Sequence, residues 1–285
     1  MTYAKETVFD SQTNTSHVLG VNPQAAEQGQ LMDTHCPHIE AWREGTVKTI
    51  KLLDKGDYLP VKLTGTGPSV TQAFSAGEIP SQQMIDALGE ICTKYKDRNV
   101  RILVDAESQH FQRGIHNMAL ELMRKFNRDG YAHVFNTYQA YLKSTSYTLA
   151  KDLAAPSEEG FTLGLKLVRG AYITSEERSL IHNKKEATDE AYSGIAQGAL
   201  RQEIEEFGVK NGHKFPSVNL FLASHNEASV LAVYQWHQQR VTCGLPTVPV
   251  DFGQLHGMAD EVSFSLLQLK GPDGDPRSTS AQHVG

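Results

Sequence analysis

Six short runs of apolar and β-branched residues recur along the chain with helical segments between them, and this alternation limits the fold more than any other feature. The runs are YLPVKLTG (58–65), VRILVDAE (100–107), HVFNTYQA (133–140), FTLGLKLVRGAY (161–172), SVNLFLASH (217–225) and TVPVDFGQL (247–255). Between them, EIPSQQMIDALGEICTKYKD, RGIHNMALELMRKFNRDG and EATDEAYSGIAQGALRQEIEEFG place apolar residues at helical spacing. Strand, helix and strand in repetition predict a parallel sheet with right-handed crossovers. The runs are mostly apolar rather than strictly alternating, as expected of strands covered on both faces.

An open doubly wound sheet and a closed (β/α)8 TIM-type barrel share this rhythm, and the polar residues choose between them. Lys62 and Thr64, Asp105 and Glu107, Gln139, Arg169 and Tyr172, His225 and Asn226, and Gln254 and His256 fall at or near the C-terminal ends of the runs. In a barrel those ends converge on one rim, where catalysis occurs. No GxGxxG follows the first run, which removes the usual dinucleotide fingerprint. The expectation is an α/β chain of the (β/α)8 barrel type, incomplete, with about six of eight βα units visible.

Three segments follow from this reading. Residues 1–57 are a polar segment with one amphipathic helix, where Ile39, Trp42, Val47, Ile50 and Leu53 share a face that stops at Gly56. Residues 58–270 are the barrel. Residues 271–285, beginning GPDGDPRSTS, read as an irregular tail with no strand or helix pattern.

Composition narrows the function classes. A net charge of −6 and the lack of a Lys/Arg-rich arm supply no basic field for a nucleic-acid backbone, so a small-molecule partner is expected. Cys36, Cys92 and Cys243 lie far apart with no CxxC pair, which points away from a disulfide framework or zinc knuckle. No HExxH or paired HxH occurs among the 12 histidines, and no resident metal is expected. No apolar run is long enough to cross a membrane. Lys5 is the sole Lys or Arg before Arg43, unlike an Arg-rich transit peptide, so an import signal is missing or lies upstream.

The run GLKLVRGAY raises a physical question, because Lys166 and Arg169 put two cations into a strand that otherwise looks buried. They are either structural ions paired to carboxylates of neighbouring elements or fixed charges facing a ligand. VDAE, FNTYQAYLK, KLVRGAY followed by TSEER, KEATDEAY, ASHNE and FGQLHGMADEVSF occur in that order. Each is weak alone, but together they resemble the catalytic barrel of the proline dehydrogenase family, of the eukaryotic, fungal-like type, over roughly residues 58–270. That resemblance implies bound FAD and oxidation of L-proline to 1-pyrroline-5-carboxylate, the first step of proline catabolism to glutamate. It also implies a mitochondrial setting on the matrix side of the inner membrane, with a membrane quinone as electron acceptor.

Residue by residue, the resemblance makes Lys166 the cation beside the flavin ring, where negative charge develops on hydride acceptance. Asp105 and Ala106 become flavin-contacting residues, with helix capping the alternative for Asp105. Gln139 meets a flavin edge. Val168, Arg169, Gly170 and Ala171 form the bend against the cofactor, and Ser224, His225 and Asn226 stand where the family has THN. Thr188, with Asp189, falls near the adenine end, unless it caps the helix. Tyr172 packs against substrate or is a core aromatic. Leu255 lines the pyrrolidine pocket, and Lys62 holds the proline carboxylate. The catalytic group is therefore Lys62, Asp105, Lys166, Tyr172 and Leu255.

Departures accompany the match. No RRxxEN follows position 270, and the family's last two βα units, with a pocket tyrosine and an Arg-Arg carboxylate clamp, are not seen. Two explanations stand: a chain truncated at both ends, or a paralogue that has lost its clamp. The alternative function is accordingly a catalytically impaired protein that retains only flavin or partner binding. A rival from another class is an aldolase using Lys166 as a Schiff base.

Overall fold

The computed structural model describes residues 5–10, 15–19, 35–209, 212–255, 257–269 and 281–284. In chain order these form β1 (Glu6–Asp10), β2 (Thr15–Leu19), α1 (Pro37–Thr49), β3 (Tyr58–Val61), α2 (Pro68–Ala76), α3 (Gln82–Asp97), β4 (Arg101–Val104) and α4 (Gln109–Phe126). There follow β5 (Val134–Gln139), α5 (Thr145–Glu159), β6 (Leu163–Val168), α6 (Lys185–Arg201), β7 (Val218–Ala223), α7 (Glu227–Thr242), β8 (Val250–Leu255), α8 (Asp260–Gln268) and β9 (Ala281–Val284). Strands β3 to β9 make one sheet in sequential order with every neighbour parallel. Sequential parallel order with helical crossovers is the barrel pattern rather than the doubly wound one, whose strand order reverses.

Each strand that the sequence predicts is present and shorter than its run. Polar residues at the ends of several runs leave the ladder and become the rim, where Lys62 follows β3, Asp105 follows β4 and Arg169 follows β6, while Gln139 and Gln254 stay within β5 and β8. Facing residues alternate along the strands. Tyr58, Leu103, Phe135 and Phe221 point inward and form a small apolar cluster with Ala132, in which the Tyr58 and Phe221 ring centroids lie 4.7 Å apart. The outward residues, among them Val104, Val134, Leu165, Leu220 and Leu222, join the helices in the main core. Helix α4 supplies Phe111, Ile115, Met118, Leu122 and Phe126 to that core from one stripe.

Two findings differ from the sequence reading. Residues 281–284, within the stretch read as irregular, form β9, paired parallel with β8 from Phe252↔Ala281 to Leu255↔Val284. Strand pairing is made by backbone N–H and C=O groups of an otherwise open edge, so it needs no apolar alternation and leaves little trace in side-chain pattern. The sheet consequently has seven parallel strands rather than six, and Cα atoms of β9 come within 8 Å of β3. The second difference lies in the polar segment 1–57, which contains an antiparallel hairpin, β1 with β2, besides helix α1. Residues 271–280 and His256 lie outside the described residues.

The N-terminal end of the barrel is tied across its width. Arg101 of β4 and Tyr58 of β3 both donate to the Asp251 carboxylate of β8 at 2.5 Å, and Arg101 also donates to the Tyr131 hydroxyl at 2.7 Å. This joins the first, second and sixth strands of the sheet below the aromatic cluster. Hairpin β1–β2 sits at the other end, where Thr7 N–H donates to Thr64 Oγ1 at 2.8 Å.

Candidate active site

Inward positions of successive strands line one cleft of about 880 Å³ at the C-terminal ends. Pro60 and Lys62, Asp105, Thr137 and Gln139, Lys166 and Val168, Phe221 and Ala223, and Gly253 and Leu255 contribute from six consecutive strands at a spacing of two. Thr137, Lys166 and Phe221 are lateral neighbours in the parallel register. Gly253 is needed where it stands, because a Cβ there would lie 2.4 Å from the Phe221 ring. Arg169, Gly170, Ala171 and Tyr172 close one side, and Ser224, His225, Asn226, Lys185 and Asp189 another.

The two cations of the opening question are both paired and both line the cleft. Lys166, 8% exposed, donates to Asp105 Oδ1 at 2.5 Å across the intervening β5. The Arg169 guanidinium pairs with Asp189 of α6, donates to Ser229 Oγ of α7 at 2.6 Å, and lies 4.5 Å over the Tyr192 ring. Lys185 also reaches Asp189 at 2.6 Å, and its hydrogen bond, helped by Arg169, holds that carboxyl below the usual range. Both cations are therefore structural ions that also line the cleft. Helix capping does not account for Asp105, since the residue preceding α4 is Ser108.

Lys62 and Tyr172 converge on a third carboxylate. Lys62 Nζ pairs with Glu6 of β1, the Tyr172 hydroxyl donates to the same side chain, and Tyr172 also reaches Ala106 O at 3.3 Å. Burial, reinforced by the Glu6 charge, raises the Tyr172 phenol well above its ordinary value, so it is a proton donor here. Glu107, 0% exposed, lies just outside the cleft and accepts from Leu63 N–H, Thr64 N–H and the Thr64 hydroxyl. Burial pushes its carboxyl up to about 7 despite those donors.

Gln139 differs from these satisfied groups. It is 3% exposed, and neither amide atom has a hydrogen-bond partner among the described residues. His225 Nε2 accepts from Leu255 N–H at 3.1 Å, which fixes the ring against β8. Asn226 caps α7 by accepting from Ser229 N–H at 2.9 Å, and its own N–H donates to Ser224 Oγ at 3.1 Å.

Of the site residues assigned through the resemblance, all but Thr188 line the cleft, whereas Thr64 and Glu107 from the run ends lie outside it. Thr188 lies inside α6 rather than at its start, since the helix follows Lys184, so it does not act as the N-cap. Sequence reasoning missed Glu6, Thr137, Lys185, Phe221 and Gly253. Thr137 and Gly253 stand two residues before Gln139 and Leu255, and Phe221 two before Ala223, so the strand period could have found them. Glu6 carries no such signal, because its contact spans 56 residues.

The fold and cleft together define a TIM-barrel-type α/β protein with a cation-lined cleft at the C-terminal strand ends. Residues 10–276 match the family model described as Proline dehydrogenase. A proline dehydrogenase 1, mitochondrial, of Caenorhabditis elegans is 30% identical over 239 residues, covering 81% of this chain and 37% of that protein. A hydroxyproline dehydrogenase of Bos taurus is 35% identical over 191 residues, covering 66% of this chain and 41% of its own length. A crystal structure of proline utilization A from Bdellovibrio bacteriovorus inactivated by N-propargylglycine superposes with a TM-score of 0.63 at 16% identity, over 81% of this chain and 25% of that one. The chain belongs to the proline dehydrogenase family. It spans well under half the length of these relatives.

Proposed function

We propose that the cleft binds FAD and oxidises L-proline, or a close ring relative, to 1-pyrroline-5-carboxylate. The observation that carries this reading is the unpartnered Gln139 amide facing a cleft that also holds the Lys166–Asp105 pair. A flavin edge offers acceptors and an N–H donor, which an amide with both atoms free complements. Lys166, Arg169, Gly170 and Ala171, with Ser224, His225 and Asn226, are the residues that would hold the cofactor. Bound FAD supplies a two-electron acceptor for the hydride lost from the carbon beside the ring nitrogen. Lys166, buried and oriented by Asp105, puts a fixed cation where negative charge develops. Lys62 recognises the substrate carboxylate, with Tyr172 donating beside it and Leu255 against the ring.

Membership in a family whose named relatives include mitochondrial proline dehydrogenases supports a mitochondrial setting and, by the same resemblance, a quinone acceptor. A second reading is favoured by Glu6, which satisfies Lys62 and Tyr172. In that reading the chain binds flavin and does not turn proline over. Reconstitution of the purified protein with FAD, followed by anaerobic addition of L-proline or hydroxyproline, tests both. Flavin absorbance that bleaches with either amino acid is the expected result. Bound flavin that stays oxidised favours the second reading, and failure to retain flavin overturns both.

A further inference from the structure

A second cavity, of about 290 Å³, lies between α4 and α5 beside the end of β5. Its wall includes Gln109, Gln112, Tyr138, Gln139 and Asp152, and the exposed Arg113 and Lys151 stand at its edge. Gln112 is 6% exposed, and its Oε1 accepts from Glu107 N–H at 2.9 Å. That bond fixes the amide and leaves Nε2 as a buried donor with no partner among the described residues. Gln109 Nε2 shares this condition. Buried amide donors are almost always paired, so two unpaired ones on one cavity wall point to a ligand that accepts hydrogen bonds.

The charges around the cavity select the ligand. Arg113 and Lys151 are positive, and His116 lies against Asp152 at 3.3 Å. Asp152 is the buried carboxylate of the wall, and it also accepts from the Tyr138 hydroxyl at 2.8 Å. A phosphate dianion would meet that carboxylate, whereas a monoanion can take the amide donors and the edge cations while keeping its distance. We propose that this cavity is a binding site for a small carboxylate of amino-acid size, which accepts from the Nε2 atoms of Gln109 and Gln112 with Arg113 and Lys151 supplying countercharge. Thr137 and Gln139 line both cavities, so such a ligand rests against the wall of the main cleft.

The test is titration of the 285-residue protein with propionate and, separately, inorganic phosphate at constant ionic strength. The side-chain amide NMR signals of Gln109 and Gln112, assigned through their leucine variants, report the site. Propionate is expected to shift both signals saturably, in wild type and in Lys62→Met alike. Arg113→Glu with Lys151→Glu changes exposed side chains and should weaken binding by about tenfold or more, the scale of one charge-assisted hydrogen bond. Signals that ignore propionate, respond equally in the double variant, or prefer phosphate overturn the proposal.

Discussion

The Glu6 carboxylate pairs with the Lys62 ammonium across the mouth of the barrel, bringing strand β1 into the site from outside the parallel sheet. Thr7 anchors the strand through its N–H to Thr64 Oγ1 at 2.8 Å and its hydroxyl to Thr64 O at 3.3 Å. Farther along, Phe9 stacks on His110 with ring centroids 3.9 Å apart. In the proposed function Lys62 and Tyr172 are the cation and hydroxyl donor for an incoming carboxylate, and Glu6 already holds both. An anionic ligand must therefore displace or share with an internal carboxylate.

Glu6→Gln keeps the shape of the side chain and removes its charge. The variant is expected to bind L-proline about tenfold more tightly than wild type, since one competing charge-assisted contact is lost. Calorimetric titration of both proteins measures the ratio. Equal or weaker binding in the variant would show that Glu6 supports the site rather than competing for it.

Lys166→Met leaves Asp105 without its cation in a pair whose side chains are 10% and 20% exposed. Removing one partner of a largely buried pair costs roughly 3 kcal/mol, read as a lower denaturation midpoint. With FAD bound, loss of the cation should also lower the flavin midpoint potential by about 50 mV, equivalent to about 2–3 kcal/mol for a two-electron couple. Lys166→Arg, which retains charge, should recover most of the potential. A potential unmoved in Lys166→Met would remove Lys166 from the electrostatics of the cofactor.

The strands were legible in the sequence because parallel strands covered on both faces read as apolar runs, and the site because polar residues ended each run. Gln139 stood out at the end of its own run and Lys166 as a cation inside its own, while Leu255 entered only through the family resemblance. Strand β9 was not legible, since what recruits it is the backbone edge of β8 rather than any side-chain period. Glu6 was hidden for a related reason: the hairpin acquires its position from contacts with Thr64 and Lys62, and nothing local in YAKETVFD marks a barrel residue. Helices α2, α5 and α7 are not among the segments whose spacing predicts a helix. Tertiary packing settles such segments more than local propensity does.

Arg101→Met tests the tie at the opposite end of the barrel. Arg101 and Asp251 are 18% and 16% exposed at their side chains, and Tyr58 shares the carboxylate. Losing the guanidinium leaves Asp251 poorly compensated and should destabilise the fold by roughly 3 kcal/mol. Ligand affinity in the main cleft, on the far side of the aromatic cluster, should change little, as expected where one face of a barrel serves stability and the other chemistry. A large loss of affinity with unaltered stability would reverse that assignment.

Two buried groups oppose each other in the pH dependence of stability. Burial raises the Glu107 carboxyl from 4.5 to about 7, so the folded chain holds a proton there that the unfolded chain has released. Its contribution is full below pH 4.5 and is lost as pH rises through about 7, with a maximum on the order of 3 kcal/mol. Burial, with Lys96 and Arg101 nearby, lowers His133 from 6.5 to about 4, so its contribution is full above pH 6.5 and is lost as pH falls through about 4. Between about pH 4.5 and 6.5 the two slopes largely offset one another. Glu107→Gln retains acceptors for Leu63 and Thr64 and removes the first slope, so relative to wild type its stability should rise with pH across that window. His133→Asn removes the second, and its stability should fall with pH relative to wild type. Urea denaturation of the three proteins at several pH values gives these differences directly, and other titrating groups cancel between them. Parallel pH profiles for wild type and Glu107→Gln would mean that Glu107 is ionised in the folded chain throughout, and that its three hydrogen-bond donors outweigh its burial.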